Sequence, residues 1–197
     1  TTGKKKDSVP LWHYDIVKFK NLVDQLDGTA VNGVSFCGDY GDPMMHPHIE
    51  EAMDYVILSK GKMVQVDTNG GVRDHTWYKK IAEKYNGHLY INFSIDGFDQ
   101  TTNNIYRVDV DFEKAKLNCT TFAKHNTWPG NCNWQMLIFN HNYHQIDDVA
   151  EYCEANGIRF DFKLNKRHWH RYTVKSPEIM QLVKEKQKQW SHLSYEY

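Results

Sequence analysis

Val34-Ser35-Phe36-Cys37-Gly38-Asp39-Tyr40-Gly41-Asp42-Pro43-Met44-Met45-His46-Pro47 is the stretch whose reading decides the fold. A short apolar run stops at a glycine-bearing turn that carries the carboxylates of Asp39 and Asp42. Beyond the turn, Pro47 and the spacing of Ile49, Met53, Val56 and Ile57 predict a helix, because proline suits a first helical position and those apolar residues share a face. A strand, a turn that exposes its backbone and a helix start together make a binding place at the strand's C-terminal end. One such turn is ordinary punctuation, since Gly and Asn serve any turn. Two later strands end in the same manner, and that repetition carries the argument.

The pattern extends in both directions. Ile16, Phe19, Leu22, Val23 and Leu26 recur at helical spacing ahead of Gly28, and Val31 to Cys37 is the strand that enters the turn. The helix from Pro47 runs to Gly61, and Met63 to Asp67 reads as a strand stopped by Thr68-Asn69-Gly70-Gly71. Asp74 can cap a helix that aligns Trp77, Ile81 and Tyr85. Leu89 to Ser94 is another strand, ending in Ser94-Ile95-Asp96-Gly97. Asp111 opens a helix with Phe112, Ala115, Cys119 and Phe122 on one face, and Trp134 to Phe139 is a strand that ends at Asn140-His141-Asn142. Ile146, Val149, Ala150 and Cys153 mark the next helix. Ile158, Phe160, Phe162 and Leu164 alternate with Arg159, Asp161 and Lys163, the period of a half-buried strand, and Ser176-Pro177 starts a last helix.

About five strands and six helices thus alternate, which predicts an α/β fold: a partial (βα) TIM-like barrel of parallel strands joined by right-handed crossovers. No linker or change in composition divides the 197 residues, so they read as one domain. Turns after strands are rich in Gly, Asn, Asp and Ser, whereas turns after helices are short stops. That asymmetry puts the working face at the C-terminal ends of the strands.

Composition narrows the function classes. With 24 basic and 25 acidic residues the formal charge is −1, and no long run of like charge suggests a nucleic-acid or membrane surface. Lys4-Lys5-Lys6 reads as a solvated end. No apolar segment is long enough to span a bilayer and no signal peptide opens the chain. The four cysteines, Cys37, Cys119, Cys132 and Cys153, show no C-x-x-C spacing and read as reduced intracellular thiols, consistent with a cytoplasmic protein. The pairs His46/His48, His141/His144 and His168/His170 invite a metal hypothesis, but no carboxylate–histidine pattern links them and no metal ligands are assigned. Arg167-His168-Trp169-His170-Arg171 follows the last strand and reads as a solvated loop on the working face.

At the strand ends the sequence resembles the core of the radical S-adenosylmethionine (radical SAM) enzymes. Gly38-Asp39-Tyr40-Gly41-Asp42-Pro43, with the trailing Met44-Met45-His46-Pro47, resembles the family's Gly-Gly-Glu-Pro turn. Thr68-Asn69-Gly70 resembles its Thr-Asn-Gly, Ser94-Ile95-Asp96-Gly97 its Ser-x-Asp-Gly, and Arg107 stands where such proteins often carry an arginine. Asn140 and Asn142 end the following strand, where the family often places polar groups near the cofactor. The matches run from about Ile16 to Leu164. Asp42 replaces the family's usual Glu, and extra residues separate the turn's glycines.

The resemblance implies that the chain binds S-adenosylmethionine, and the residue types suit that ligand. Its cationic amino group needs acceptors, which the carbonyls of the Gly38–Pro43 turn can supply with Asp42 adding negative charge. Its carboxylate needs donors, for which Arg107 or the Ser94 hydroxyl are candidates. The ribose hydroxyls suit Asn69, Asp96 or Asn140, Thr68 belongs to the same motif, and adenine would lie near Ile138 and Leu164. The resemblance also implies a four-iron four-sulfur (4Fe-4S) cluster and a 5′-deoxyadenosyl radical that abstracts hydrogen from a substrate. The C-x-x-x-C-x-x-C loop that holds such a cluster is absent from these residues, and the expectation is that it and a first strand lie upstream of Thr1. Two other readings stay open: a degenerate, non-catalytic nucleotide- or S-adenosylmethionine-binding module, and a (βα)-barrel lyase or hydrolase working through histidines and carboxylates.

Overall fold

The computed structural model describes residues 13–38, 41–165 and 172–194. Thr1–Pro10 with its lysines, Asp39 and Tyr40 of the first turn, and the Arg167–Arg171 stretch lie outside the described residues.

Among the described residues, five strands alternate with seven α-helices. In chain order these are α1 (Ile16–Asp24), β1 (Gly33–Phe36), α2 (Ile49–Asp54), β2 (Met63–Thr68), α3 (His75–Lys84), β3 (Leu89–Ser94), α4 (Gln100–Tyr106), α5 (Phe112–His125), β4 (Cys132–Ile138), α6 (Ile146–Ala155), β5 (Arg159–Leu164) and α7 (Pro177–Gln189). Every strand pair is parallel and the sheet order β1-β2-β3-β4-β5 follows the sequence. That is the order of a barrel wall rather than of a sheet wound both ways from its centre.

Helix starts follow local chemistry. Asp15, Asp74, Asp99, Asp111 and Ser176 each accept the backbone N–H three residues on, at the heads of α1, α3, α4, α5 and α7. Each such cap is worth about 1 kcal/mol. The helix expected from Pro47 begins two residues later, at Ile49. The cause lies just upstream, where Asp42 caps a 3₁₀ turn over Pro43–Met45 and His46 Nδ1 accepts the His48 N–H at 3.1 Å. Strand β1 is shorter than the expected Val31–Cys37, because its pairing with β2 starts at Gly33↔Met63 and stops at Phe36↔Val66.

Helix α4 has no counterpart in the sequence reading. Its residues lack an apolar period, and it buries Thr102 and Asn103 instead. It forms because tertiary contacts favour it. Asn103 Oδ1 accepts the Asp96 N–H at 2.9 Å, and a Cβ on Gly97 would come within 2.6 Å of the Asn103 nitrogen. Gly97 is therefore the residue that lets α4 lie directly on the end of β3.

The two faces of the sheet differ in kind. Val64, Val66, Ile91, Phe93, Trp134, Met136, Phe160 and Phe162 point outward and pack with Met53, Ile81, Phe122, Val149 and Cys153 of the helices. Burying each large side chain stabilises by about 1.5–3 kcal/mol, so this layer supplies the core. The alternate positions, including Gln65, Asp67, Tyr90, Asn92, Asn133 and Asp161, carry polar groups on the inner face. A closed barrel fills that space with branched apolar side chains.

Candidate functional site

All of the turns singled out by sequence converge on the C-terminal edge of the sheet, and two carboxylates tie them together. The first is Asp42. It accepts the Met44 N–H at 2.9 Å, the Thr68 hydroxyl at 2.8 Å and the Asn69 N–H at 2.7 Å. The turn after β1 is thereby fastened to the turn after β2. Burial pushes the Asp42 carboxyl above its ordinary range, while the donors from Asn69, Met44 and Thr68 and the positive charge of Arg107 pull it back. Asp42 thus holds the two turns in register, and its oxygens are already engaged.

Two further groups brace the Thr68–Gly71 turn. Arg73 donates Nε to Met44 O at 2.8 Å and Nη2 to His46 O at 3.1 Å. Asn118, fully buried in α5, donates Nδ2 to Gly70 O at 2.6 Å and to Arg73 O at 2.9 Å. Sequence reading missed both, although a buried Asn on the apolar face of a helix was a signal that some backbone group needed it.

The second carboxylate is Asp96. One oxygen accepts Arg107 Nε at 2.6 Å and the other accepts the Leu137 N–H at 2.6 Å. Asn142 Nδ2 donates to Asp96 O at 2.9 Å and Leu137 O at 2.8 Å, so the ends of β3 and β4 are tied by main-chain contacts as well. Asp96, expected to meet a ribose hydroxyl, is fully buried here, and each of its oxygens already accepts one protein donor. This carboxylate positions Arg107.

Other expected residues are placed as follows. Arg107 closes α4, its guanidinium lies over the Tyr106 ring, and its terminal nitrogens make no hydrogen bond among the described residues. Ser94 ends β3 half-buried, on the inner side. Asn69 accepts the Gly71 N–H through Oδ1 at 2.8 Å. Asn140 is exposed and donates to Thr173 O at 3.2 Å, reaching the segment after β5. Ile138 is fully buried in the outward-facing core, so it offers adenine no surface, whereas Leu164 is half-buried. Pro43 opens the 3₁₀ turn behind Asp42.

The two glycines of the first turn have different reasons to be glycine. A Cβ on Gly38 would overlap the carbonyl oxygen of Gly41, whereas a Cβ on Gly41 would meet nothing within 4 Å. Gly38 lets the turn fold back on itself, and Gly41 borders open space at the working edge. That space, the terminal nitrogens of Arg107 and the Ser94 hydroxyl fit the amino acid end of S-adenosylmethionine, which needs close backbone approach and donors to a carboxylate.

A four-iron cluster is a different matter. Among the described residues no group of three His, Cys, Asp or Glu could hold a metal ion. Cys37 is exposed after β1, while Cys119, Cys132 and Cys153 are buried in α5, β4 and α6. His46 is engaged through both ring nitrogens, by Tyr14 O and the His48 N–H. The residues described here do not fit a thiolate-held cluster.

A parallel (βα) arc with bracing carboxylates under its strand ends defines the class of the protein, a partial barrel with its ligand face at those ends. The chain belongs to the radical SAM superfamily, which matches residues 3–153. Among curated proteins no sequence matches. The fold is similar to native anSMEcpe with bound AdoMet, with a TM-score of 0.67 and 17% identity over 95% of this chain and 54% of that one. It is also similar to anSMEcpe with bound AdoMet and Cp18Cys peptide, at 0.65 and 18% over 91% of this chain and 52% of that one. A domain of pyruvate-formate lyase-activating enzyme from Bacteroides vulgatus aligns at 0.59 and 17%, over 83% of this chain and 98% of that domain. The chain spans about half the length of the anSMEcpe chains. At these identities the likeness is one of fold. No helix among the described residues is long and apolar enough to cross a membrane.

Proposed function

We propose that this chain is the S-adenosylmethionine-binding core of a radical SAM enzyme. The observation that carries this reading is the fastening of the Gly38–Pro43 and Thr68–Gly71 turns by Asp42, with open space left over Gly41. In this reading the carbonyls of the Gly38–Gly41 turn receive the cofactor's amino group. Arg107, aimed by Asp96, and the Ser94 hydroxyl receive its carboxylate. Asn69 and Asn140 remain for the ribose. With a four-iron cluster, which the described residues do not hold, the bound cofactor would supply hydrogen-abstraction chemistry. The chain's own residues bind, orient and keep water from the reacting atoms. The small-molecule cofactor and a substrate are the partners this site calls for.

The test is calorimetric titration of S-adenosylmethionine into the chain and into a form extended upstream, each scored for iron, sulfide and 5′-deoxyadenosine with a strong reductant. Binding by both, with cluster and 5′-deoxyadenosine in the longer form, supports the proposal. Binding without a cluster in either form supports the degenerate-module reading, and binding by neither overturns the assignment of the strand ends.

A further inference from the structure

Tyr78 is a buried polar residue that neither the core nor the turns account for. It stands on the core-facing side of α3 with no exposed surface, and its hydroxyl completes no hydrogen bond among the described residues. Neighbouring tyrosines are answered. Tyr85, at the end of the same helix, donates to Asp54 Oδ1 at 2.6 Å, and Tyr152 shares a 2.7 Å contact with the Thr120 hydroxyl. A buried hydroxyl without a partner costs stability. Packing alone would be served by Phe, which fills the same space without that cost.

The surroundings fix the ring. Trp77 meets it edge-on at 5.3 Å between centroids, and Phe93 of β3 lies against it at 5.4 Å. Held there, the hydroxyl adjoins the Thr68 hydroxyl and lies close enough to Asp42 for the carboxylate's charge to act on it. Arg73 and Cys119 are the other titratable groups that bear on it. Burial and the Asp42 charge raise the phenol far above its ordinary range, so it keeps its proton and stays a donor.

Thr68 has one place left for that proton. Its hydroxyl donates to Asp42 at 2.8 Å, and its oxygen accepts the Gly70 N–H at 3.1 Å. A hydroxyl oxygen has two lone pairs, so one remains. Donation by Tyr78 would complete a chain from Tyr78 through Thr68 to Asp42, in which each bond polarises and strengthens the next. A carboxylate gains most from such donors when it is charged, and a cation beside Asp42 favours the charged form. We propose that Tyr78 is a positioning residue for a ligand's ammonium group, acting through Thr68 to hold the Asp42 carboxylate, and with it the Gly38–Pro43 turn, against that cation. This rests on the reading of the strand ends as the seat of S-adenosylmethionine, whose amino group is the cation, and it gives a part in that seat to a side chain enclosed behind it.

The experiment is calorimetric titration of the full chain and of Tyr78→Phe with two ligands. One is S-adenosylmethionine; the other is 5′-methylthioadenosine, which keeps the nucleoside and lacks the amino acid end. Tyr78→Phe should bind S-adenosylmethionine about tenfold more weakly, the ratio that one hydrogen bond in a charged chain provides. Its affinity for 5′-methylthioadenosine should be unchanged. Its melting temperature should equal or exceed the parent's, because the hydroxyl removed has no partner. Thr68→Val, which removes the middle of the chain, gives a second measurement: Tyr78→Phe added to it should cost S-adenosylmethionine affinity nothing further. A Tyr78→Phe variant that binds S-adenosylmethionine as the parent does overturns the proposal. So does one that melts early, one that loses both ligands equally, or a full tenfold loss in the Thr68→Val background. A parent that binds no S-adenosylmethionine overturns the cofactor reading itself, and the part given to Tyr78 falls with it.

Discussion

Asp96 Oδ2 accepts Arg107 Nε at 2.6 Å, and the carboxylate that makes this contact has no exposed surface. The charge is tolerable inside the protein because Arg107 and the Leu137 N–H both answer it. Removing one partner of a buried pair leaves an uncompensated charge, which costs about 3–5 kcal/mol. Arg107→Ala should lower unfolding stability in urea by that amount at neutral pH. Asp96→Asn, which leaves a neutral amide in the same place, should cost less. If Arg107→Ala loses under about 1 kcal/mol, the pair is not what holds the β3 turn.

Gly38 and Gly41 separate folding from binding. Gly38→Ala forces a methyl group into the Gly41 carbonyl, so it should lower the melting temperature. A Cβ on Gly41 would meet nothing within 4 Å, so the melting temperature of Gly41→Val should stay close to the parent's. Under the proposed function the same Val side chain fills the cofactor's space, so S-adenosylmethionine affinity should fall at least about tenfold, as for a clash the site cannot relieve. A Gly41→Val variant that folds and binds normally would take this turn out of the cofactor site.

The strand ends were legible in sequence because each motif is local: Gly38–Pro43, Thr68–Gly71 and Ser94–Gly97 are turns whose residue types show directly. What joins them was not. Nothing in the spacing tells that Asp42 reaches Thr68, or that Asp96 takes Arg107, since both contacts depend on how neighbouring strands are stacked. Helix α4 escaped because Gln100–Tyr106 has no apolar stripe and is held by Asp99, Asn103 and Gly97. Ile138 was misplaced as an adenine wall, although its parity with Trp134 and Met136 put it on the helix side. The polar inner face had a visible signal: Gln65/Asp67, Tyr90/Asn92/Ser94 and Asn133/Gln135 alternate within strands, whereas a parallel strand covered on both faces reads as a continuous apolar run.

Asp42 should give an unusual pH signature. Burial raises its carboxyl above the ordinary value of 3.8, so the folded state takes up its proton at a higher pH than the unfolded chain does. Between those two values the folded chain holds more protons, and stability contributed by this group therefore falls as pH rises. Asp42→Asn removes the titration. The stability of the parent relative to Asp42→Asn should be greatest below pH 3.8 and decline as pH climbs through the raised value, the reverse of a carboxylate held ionised by a salt bridge. Parallel urea titrations of both proteins across that window measure the difference. A difference that grows with pH would show that the Thr68, Asn69 and Met44 donors outweigh burial.

The four cysteines should behave very differently towards thiol reagents and iron. Burial raises the Cys119 and Cys153 thiols well above their ordinary range, and Cys119 lies 3.7 Å from the equally enclosed Cys132. Thiolate is the reactive form and the iron ligand, so the Cys119 and Cys153 thiols stay protonated, and all three buried sulfurs are shielded in the folded protein. Only Cys37 is exposed. The native chain should therefore release one equivalent of chromophore from an aromatic disulfide reagent, and four once unfolded in guanidinium. For the same reason, anaerobic incubation of these 197 residues with iron and sulfide should leave no stoichiometric four-iron cluster on the folded protein. Absorbance and metal analysis after desalting measure both. Two or more rapidly reacting thiols, or a retained cluster, would mean that α5, β4 and α6 open far enough for buried sulfur to reach solvent.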